Sequence, residues 1–418
     1  MRAINTMIQY QKRTLSNGLT AIVHRDDTTP LVAINILYKV GSRNEDPDKT
    51  GFTHLFEHLM FGGTKNVPNY DDPIQEAGGE NNAFTNSDFT NFYLTLPLAN
   101  VEVGLWLEAD RMKGLNFTKK NLDTQKKVVI EEFKETCLNE PYGDMWHHIA
   151  EMAYQKHPYK WPTMGKDISH IEKADLDDVK SFFANYYRPN NAIIVLVGNF
   201  TEEEGFQLIE KWFADIPGAE INFNPIAFDT PGTGFKQKEI HAAVPMKSIV
   251  LTFMMQSRIH PDFYVTDLLS DILSSGRSSR LYQKLVKEQQ LFSHIDAFVT
   301  GSTDPGLLLV EGKVKDEVSI DVARKAIMDI LQELCNKKIE ERELQKIKNR
   351  AESHLVFSEL GALNKAMSLA AFEHLGDIDL INKEIDIYQA ITAEDMMRVS
   401  RELFSLENCC ELVYIPKV

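Results

Sequence analysis

The chain of 418 residues is poor in cysteine. Its four thiols are scattered, and no two of them form a Cys-x-x-Cys pair. Because thiolate zinc sites and disulfide frameworks need such pairs or clusters, neither is expected to organise the fold. Cys409 and Cys410 lie in an apolar C-terminal segment and are expected to be buried thiols. Unpaired thiols fit a reducing compartment best.

Long hydrophobic runs are also missing. No segment approaches the ~20 apolar residues of a membrane span, and the N-terminal residues contain no apolar stretch of signal-peptide length. We therefore expect no membrane association and a cytoplasmic protein. A signal or transit peptide removed from the chain would leave no trace in this sequence.

Positive charge is in deficit, with 45 Lys and Arg against 61 Asp and Glu, and the formal net charge is −16. Because a nucleic-acid-binding protein needs a basic patch or stripe, we expect no nucleic-acid partner. The composition is otherwise that of an ordinary globular protein, with 43% hydrophobic and 25% charged residues. The length suits two or more domains.

The most informative segment is GFTHLFEHLMF at 51–61, which carries His-x-x-Glu-His. His54 and His58 are four residues apart and so share one helix face. That arrangement places two imidazole nitrogens on one Zn²⁺. Glu57 lies beside them, where its carboxylate can reach a metal-bound water, as in the inverted zincins. The alternative is a helix whose two histidines are satisfied core or rim groups.

A catalytic zinc site has three protein ligands and one open position. The helical segment KKVVIEEFKE at 126–135 offers Glu131, Glu132 and Glu135 as the third ligand. Glu131 and Glu135 share one face, whereas Glu132 points about 100° away from Glu131. Spacing alone does not choose among the three, and each also fits a solvated helix face.

His-x-x-Glu-His followed by VVIEE resembles the pitrilysin/insulinase family of zinc metallopeptidases, which includes mitochondrial processing peptidase and bacterial homologues. The resemblance implies one Zn²⁺ per chain, with Glu132 as the third ligand and Glu57 as the catalytic base. The family often has a supporting Glu seven residues before that ligand. Here the position holds Gln125, which keeps hydrogen bonding but adds no negative charge to the site.

The segment GGENNAFTNSDFTNFY at 78–93 resembles the family's Gly-Gly-x-x-Asn-Ala-x-Thr pattern. The resemblance implies an edge strand near the zinc that pairs with an extended peptide substrate. The matching residues are Asn82, Ala83 and Thr85. Without the metal motif nearby, the same segment reads as an ordinary Asn- and Gly-rich hairpin arm.

Strand and helix patterns follow a similar order in the two halves of the chain. Predicted strands lie at 10–15, 19–25, 31–40, 192–198, 249–255, 306–314 and 411–415. Predicted helices lie at 101–115, 122–137, 175–187, 201–213, 262–275, 278–289 and 318–337, and 340–375 is predicted to be largely helical. The matched order favours two copies of one α+β unit.

We therefore predict an α+β fold of two structurally similar domains. Each is expected to be a mostly antiparallel sheet with helices packed on one face, as the family resemblance implies. The N-terminal, zinc-binding domain is placed at 1–216, and a Pro- and Gly-rich linker at 217–238. The C-terminal domain at 239–418 is a homologous copy without the metal site.

The second half departs from the family where the family usually supplies an Arg and a Tyr to the zinc site. The lead-in SSRL is present at 278–281, but Val286 stands at the Arg position and Ser293 at the Tyr position. Losing an oxyanion donor costs about 10²–10³ in rate. The resemblance therefore implies a homologous partner chain that supplies both groups, with a homodimer as the other possibility. His294 and Arg280 are less suited substitutes.

The predicted function is zinc-dependent endopeptidase activity on peptides or unfolded polypeptides, as the metal-bearing subunit of a heterodimer. One alternative is a non-catalytic scaffold or core subunit with the same fold. Such a subunit has no reason to retain two metal-binding histidines, Glu57 and Glu132 together. A second alternative is a zinc hydrolase of non-peptide substrates, against which the edge-strand segment argues.

Overall fold

The computed structural model describes residues 7–229 and 234–417. Within them the strands are β1 Gln11–Thr14, β2 Thr20–Arg25, β3 Leu31–Tyr38, β4 Glu80–Thr85, β5 Thr90–Pro97, β6 Ala192–Gly198, β7 Lys236–Ala242, β8 Lys247–Met254, β9 Phe292–Val299, β10 Leu307–Val314 and β11 Cys409–Pro416. The helices are α1 Phe52–Phe61, α2 Asp71–Glu76, α3 Val101–Lys113, α4 Lys119–Phe133, α5 Met145–Ala153, α6 Ile168–Lys173, α7 Leu176–Tyr186, α8 Glu202–Phe213, α9 Pro261–Ser274, α10 Ile320–Asn336, α11 Glu341–Ser358, α12 Ala362–Leu375, α13 Leu380–Ala390 and α14 Ala393–Leu403. Two segments, Lys134–Asn139 and Tyr282–Glu288, are π-helical.

The chain forms two compact units that exchange segments. The described residues of the first unit come from Met1–Lys134, Trp161–Ile226 and Val356–Lys383. Those of the second come from Glu135–Lys160, Ala227–Leu355 and Glu384–Val418. A single boundary at 217–238, as predicted from the sequence, does not anticipate this exchange. Of that predicted linker, 217–229 has no regular element, 230–233 lies outside the described residues, and β7 begins before the linker ends.

Each unit contains one mixed sheet that is antiparallel except at one pair of strands. In the first unit the strand order is β1-β2-β6-β3-β5-β4, with β2 and β6 parallel. In the second unit the order is β7-β11-β8-β10-β9, with β7 and β11 parallel. Apart from β1, the two orders are equivalent position by position. The prediction of two similar, mostly antiparallel α+β units is confirmed.

The central strands β3 and β6 of the first unit's sheet are buried on both faces. Ile34, Ile36 and Leu94 belong to the large core that contains side chains of α1, α3 and α8. The alternate residues Ala33 and Leu37 point the other way and pack with side chains of α12. Because both faces are covered, every residue of β6 is buried, which explains its unbroken apolar sequence AIIVLVG.

The second unit repeats this layering. Side chains of α9, α10 and α14 share one core with the inward face of its sheet. On the opposite face, Ile149 and Ala153 of α5 pack with Leu309 and Leu412. Most helices therefore lie on one face of each sheet, as predicted, and one further helix covers the second face. That further helix comes from the other half of the chain, which local sequence patterns do not reveal.

The four cysteines are free thiols, and Cys137, Cys335 and Cys409 are buried. The expectation of a buried thiol is confirmed for Cys409, whereas Cys410 is only partly buried. Among the described residues, none of the helices combines the length and the apolarity required to cross a bilayer.

Candidate metal centre

The helix that carries the histidine motif starts at a strained position. Gly51, directly before α1, has a left-handed backbone with φ of 86°. A Cβ atom there would lie 2.9 Å from the carbonyl oxygen of Met164. Glycine is therefore required both by conformation and by close approach. The chain can turn sharply at this point and direct the first turn of α1 towards the core.

One stripe of α1 is buried, and the motif residues border it. The buried side chains are Phe52, Thr53, Leu55, Phe56, Leu59 and Met60. His54 and His58 follow one another by a turn, with ring centroids 4.9 Å apart and ring planes at 87°. Burial lowers the pKa of His54, although the carboxylates of Glu132 and Glu57 oppose this. The ring is therefore neutral near pH 7, which is the form that binds a metal.

Helix α4 brings a carboxylate to the two imidazoles. The Nε2 atom of His54 lies 3.7 Å from Oε1 of Glu132, and Nε2 of His58 lies 3.3 Å from Oε2. All three ligand atoms fall within 4.8 Å of one another, the one such cluster among the described residues. Two ligands held about 2.0–2.2 Å from a tetrahedral zinc lie roughly 3.3–3.6 Å apart. The donor set and its spacing therefore fit Zn²⁺ with one position left open.

The neighbouring glutamates face elsewhere. The side chain of Glu131 is 71% exposed and pairs with Lys134 at 2.7 Å. Glu135 is exposed and falls in the π-helical segment that follows α4. Glu132 shares the side of α4 that carries the buried Val129, which faces the core. Of the three candidates left open by spacing, the structure brings Glu132 to the histidines.

Glu57, the base expected from the sequence, has a partner on strand β4. Thr85 Oγ1 donates a hydrogen bond to Oε2 of Glu57 at 2.6 Å. Glu57 is half-buried beside the ligand cluster. The hydrogen bond from Thr85 therefore holds the Glu57 carboxylate in a defined orientation. The sequence assigned Thr85 to substrate binding and did not indicate this contact.

Strand β4 has one open edge. It pairs with β5, and within the described residues no strand pairs with its other side. Ala83 and Thr85 are half-buried, whereas Asn82 is exposed. The Asn82 side-chain oxygen accepts the backbone N–H of Ala83 at 2.8 Å. An incoming strand that pairs at Ala83 must displace this short contact, which also protects the edge from unwanted pairing.

Two models of known protein families match this chain. Residues 20–167 match the family model described as Insulinase (Peptidase family M16). Residues 173–351 match the model described as Peptidase M16 inactive domain. The chain belongs to peptidase family M16. The first model includes the ligand cluster, Glu57 and the open edge strand.

Individual relatives agree with the family assignment. This M16 chain is 28% identical to the "Zinc protease PqqE" of Helicobacter pylori, over 97% of this chain and 92% of that protein. It is 23% identical to a "Probable mitochondrial-processing peptidase subunit beta" of Arabidopsis thaliana, over 82% and 66%. The crystal structure of a protease from Helicobacter pylori superposes with a TM-score of 0.93 at 27% identity, covering 98% and 100% of the two chains.

The second unit of this M16 chain contains the positions where the family's Arg and Tyr were expected. Val286 is partly buried against the core of that unit, and the Ser293 hydroxyl donates to the carbonyl oxygen of Lys313 at 3.3 Å. Arg280 is held by Glu343 through two hydrogen bonds of 3.0 and 2.7 Å. His294 pairs with Asp296 at 2.6 Å. The two substitutes considered from the sequence are thus engaged by carboxylates within their own unit.

Gln125 lies on α4 seven residues before Glu132 and is half-buried on the same side of the helix. Within the described residues its side chain makes no hydrogen bond to either histidine. The Nδ1 atom of His54 is buried and has no hydrogen-bond partner in the same part of the chain. The predicted supporting role of Gln125 stays a prediction.

Sequence reasoning missed Glu45. Its buried carboxylate accepts the backbone N–H groups of Gly51 at 2.9 Å and Thr53 at 2.7 Å, and the Thr53 hydroxyl. These donors belong to the unsatisfied first turn of α1. Burial raises the pKa of Glu45 to about 8, against the effect of these donors. Because Glu45 lies seven residues before the first residue of α1, its role depends on the loop between them, and no cap spacing reveals it.

Proposed function

We propose that this protein is a zinc-dependent endopeptidase that cleaves peptides or unfolded polypeptides. The observation that carries the proposal is the convergence of His54, His58 and Glu132, with Glu57 on the same helix as both histidines. The relative named as a zinc protease supports both the metal and the reaction. The open edge of β4 beside Glu57 supports an extended peptide as the substrate.

Each residue has a defined task in this mechanism. His54, His58 and Glu132 hold the metal. When bound, zinc supplies Lewis acidity, which brings the pKa of water to about 7 in such sites. Glu57 accepts the proton of the attacking water and returns it to the leaving amine. The peptide lies along β4, where backbone hydrogen bonds hold it and orient the scissile bond.

The first experiment tests metal content and turnover together. The chain is purified, loaded with zinc and assayed with a mixed library of quenched-fluorescent peptides. Glu57→Gln is expected to keep one zinc per chain and to lose about 10²–10⁴ in turnover, because general-base catalysis contributes that much. Glu131→Gln removes a nearby exposed carboxylate and should change neither. Zinc loss in Glu57→Gln would make Glu57 a ligand, and unchanged turnover would exclude it as the base.

We further propose that this chain is the metal-bearing subunit of a two-chain enzyme. The side chain of Val286 has no hydrogen-bond donor to replace an Arg, and the hydroxyl of Ser293 is on a side chain too short to replace a Tyr phenol. A second copy of this chain carries the same two residues, so a homodimer leaves the gap unfilled. The relative named as a subunit of mitochondrial-processing peptidase supports a two-chain assembly.

The two-chain proposal is tested by adding a homologous chain that carries the Arg and Tyr. We expect low turnover from this chain alone and a rise of about 10²–10³ in the mixture, the usual contribution of an oxyanion donor. Mixing with a partner whose Tyr is changed to Phe is the matched control. Full turnover by this chain alone would contradict the two-chain proposal and leave the endopeptidase proposal intact.

The alternative of a non-catalytic scaffold has less support. A scaffold gains nothing from a cluster of three metal ligands whose atoms lie within 4.8 Å of one another. A protein that binds no zinc would favour the scaffold. A zinc-loaded protein that hydrolyses esters but no peptide of the library would favour a non-peptide hydrolase.

A further inference from the structure

The hydroxyl of Thr85 contacts Glu57, the proposed general base, directly. Thr85 is the last residue of β4, and its Oγ1 donates to Oε2 of Glu57 at 2.6 Å. Hydroxyl-to-carboxylate hydrogen bonds of 2.5–2.7 Å are among the strong, charge-assisted ones. This bond occupies one oxygen of Glu57 and leaves Oε1 to accept a proton.

The backbone of Thr85 faces a different direction from its side chain. Asn86 N–H donates to the carbonyl of Phe89 at 3.0 Å, which closes the turn between β4 and β5. Because hydrogen-bonded pairs alternate along an antiparallel ladder, the next pair, Thr85 and Thr90, is a non-hydrogen-bonded one. The N–H and C=O of Thr85 therefore point to the open edge, where a peptide strand would pair.

We propose that Thr85 is a positioning residue for the general base, and that its side chain does not serve substrate binding. This inference rests on the proposed endopeptidase function. Substrate pairing uses the backbone of Thr85, which a side-chain substitution leaves in place. Orientation of Glu57 uses the hydroxyl. The two roles of this residue can therefore be separated by experiment.

The kinetic test compares two substitutions with one matched control. Thr85→Val removes the hydroxyl and keeps the shape, whereas Thr85→Ser keeps the hydroxyl. Thr95→Val makes the same change on β5, opposite the start of β4 at Glu80. We expect Thr85→Val to lower kcat by roughly tenfold to hundredfold, a part of the 10²–10⁴ of general-base catalysis, with KM unchanged. Thr85→Ser and Thr95→Val should both retain wild-type kcat, and all variants should bind one zinc.

A raised KM with unchanged kcat in Thr85→Val would overturn the proposal and make Thr85 a substrate-binding side chain. Equal loss in Thr85→Val and Thr85→Ser would also overturn it, because the hydroxyl would then not be the active feature.

A second readout does not depend on activity. In a crystal structure of the zinc-loaded wild type, Glu57 is expected to adopt a single rotamer. In the zinc-loaded Thr85→Val variant, which lacks the hydroxyl, Glu57 is expected to leave that rotamer. The same Glu57 rotamer in both would refute the positioning role. A further outcome is a wild type that cleaves no peptide, together with a Thr85→Val variant that still loses the wild-type rotamer of Glu57. In that case the endopeptidase proposal fails and the positioning of Glu57 by Thr85 stands.

Discussion

At the scale of single residues, two adjacent glutamates on α4 meet different surroundings. The carboxylate of Glu132 lies 3.7 and 3.3 Å from the two imidazoles, whereas Glu131 lies in solvent beside Lys134. An exposed ion pair of this kind contributes little, typically 0–1 kcal/mol. The carboxylate near the histidines instead completes a set of three donors for one ion. Substituting each glutamate in turn therefore separates a ligand from a surface charge.

Glu132→Gln is expected to lower zinc affinity by more than the 10–100-fold typical of changes outside the ligand set, since it removes a charged ligand. Glu131→Gln should bind zinc as the wild type does. Zinc titration with a chelating dye, read at equilibrium for both variants, measures this difference. Normal affinity in Glu132→Gln together with loss in Glu131→Gln would reverse our assignment of the third ligand.

At the scale of elements, α1 depends on groups outside the helix for its orientation. Gly51 permits the sharp entry, and Glu45 accepts hydrogen bonds from the first turn. The histidines and Glu57 follow within two turns, so any shift of the helix start moves these three side chains. Glu45 thus links the loop before α1 to the site.

The raised pKa of Glu45 predicts a pH dependence of stability. Burial raises this pKa from its usual 4.5 to about 8, so the folded protein holds a proton that the unfolded chain releases. The resulting stabilisation is complete below about pH 4.5 and is lost as the pH rises to about 8. Its slope is at most about 1.4 kcal/mol per pH unit. Glu45→Gln cannot titrate and should lack this contribution.

Urea unfolding of the wild type and of Glu45→Gln at several pH values between 5 and 8 tests this expectation. The difference in unfolding free energy between the two proteins should change steadily with pH, in favour of the wild type at the acidic end. A difference that stays constant from pH 5 to 8 would show that Glu45 does not carry the proton. Other titrating groups are common to both proteins and cancel in the comparison.

At the scale of the whole molecule, the first unit is completed by a distant part of the chain. Helix α12 packs with Leu37 and Ile193 on the second face of the sheet, and Lys365 forms an ion pair with Asp26 at 2.7 Å. Buried large apolar side chains contribute roughly 1.5–3 kcal/mol each. The few on this helix therefore amount to a large share of the ~5–15 kcal/mol by which domains are stable.

A fragment of residues 1–216, the predicted N-terminal domain, is accordingly expected to be unstable and to bind a hydrophobic dye. Adding residues 356–383 through a flexible linker should lower dye binding and raise the melting temperature. The same addition with Leu369→Asp, a substitution at a fully buried position of α12, should not. A fragment 1–216 that melts cooperatively without dye binding would contradict the need for α12.

The sequence by itself determined the features that depend on local spacing. The four-residue spacing of His54 and His58 places both on one helix face, and apolar patterns predict most of the strands. Matched element order in the two halves predicted the repeated α+β unit, which the equivalent strand orders confirm. The cytoplasmic location and the role of Gln125 stay predictions.

Only the tertiary structure decided the features that depend on contacts between distant segments. Spacing left Glu131, Glu132 and Glu135 open because α4 meets α1 only after folding. The contacts of Thr85 with Glu57 and of Glu45 with Thr53 join residues on different elements, at spacings that belong to no known sequence motif. The exchange of α5 and α12 between the units has the same origin, since a helix's apolar stripe shows that it is buried but not against which sheet.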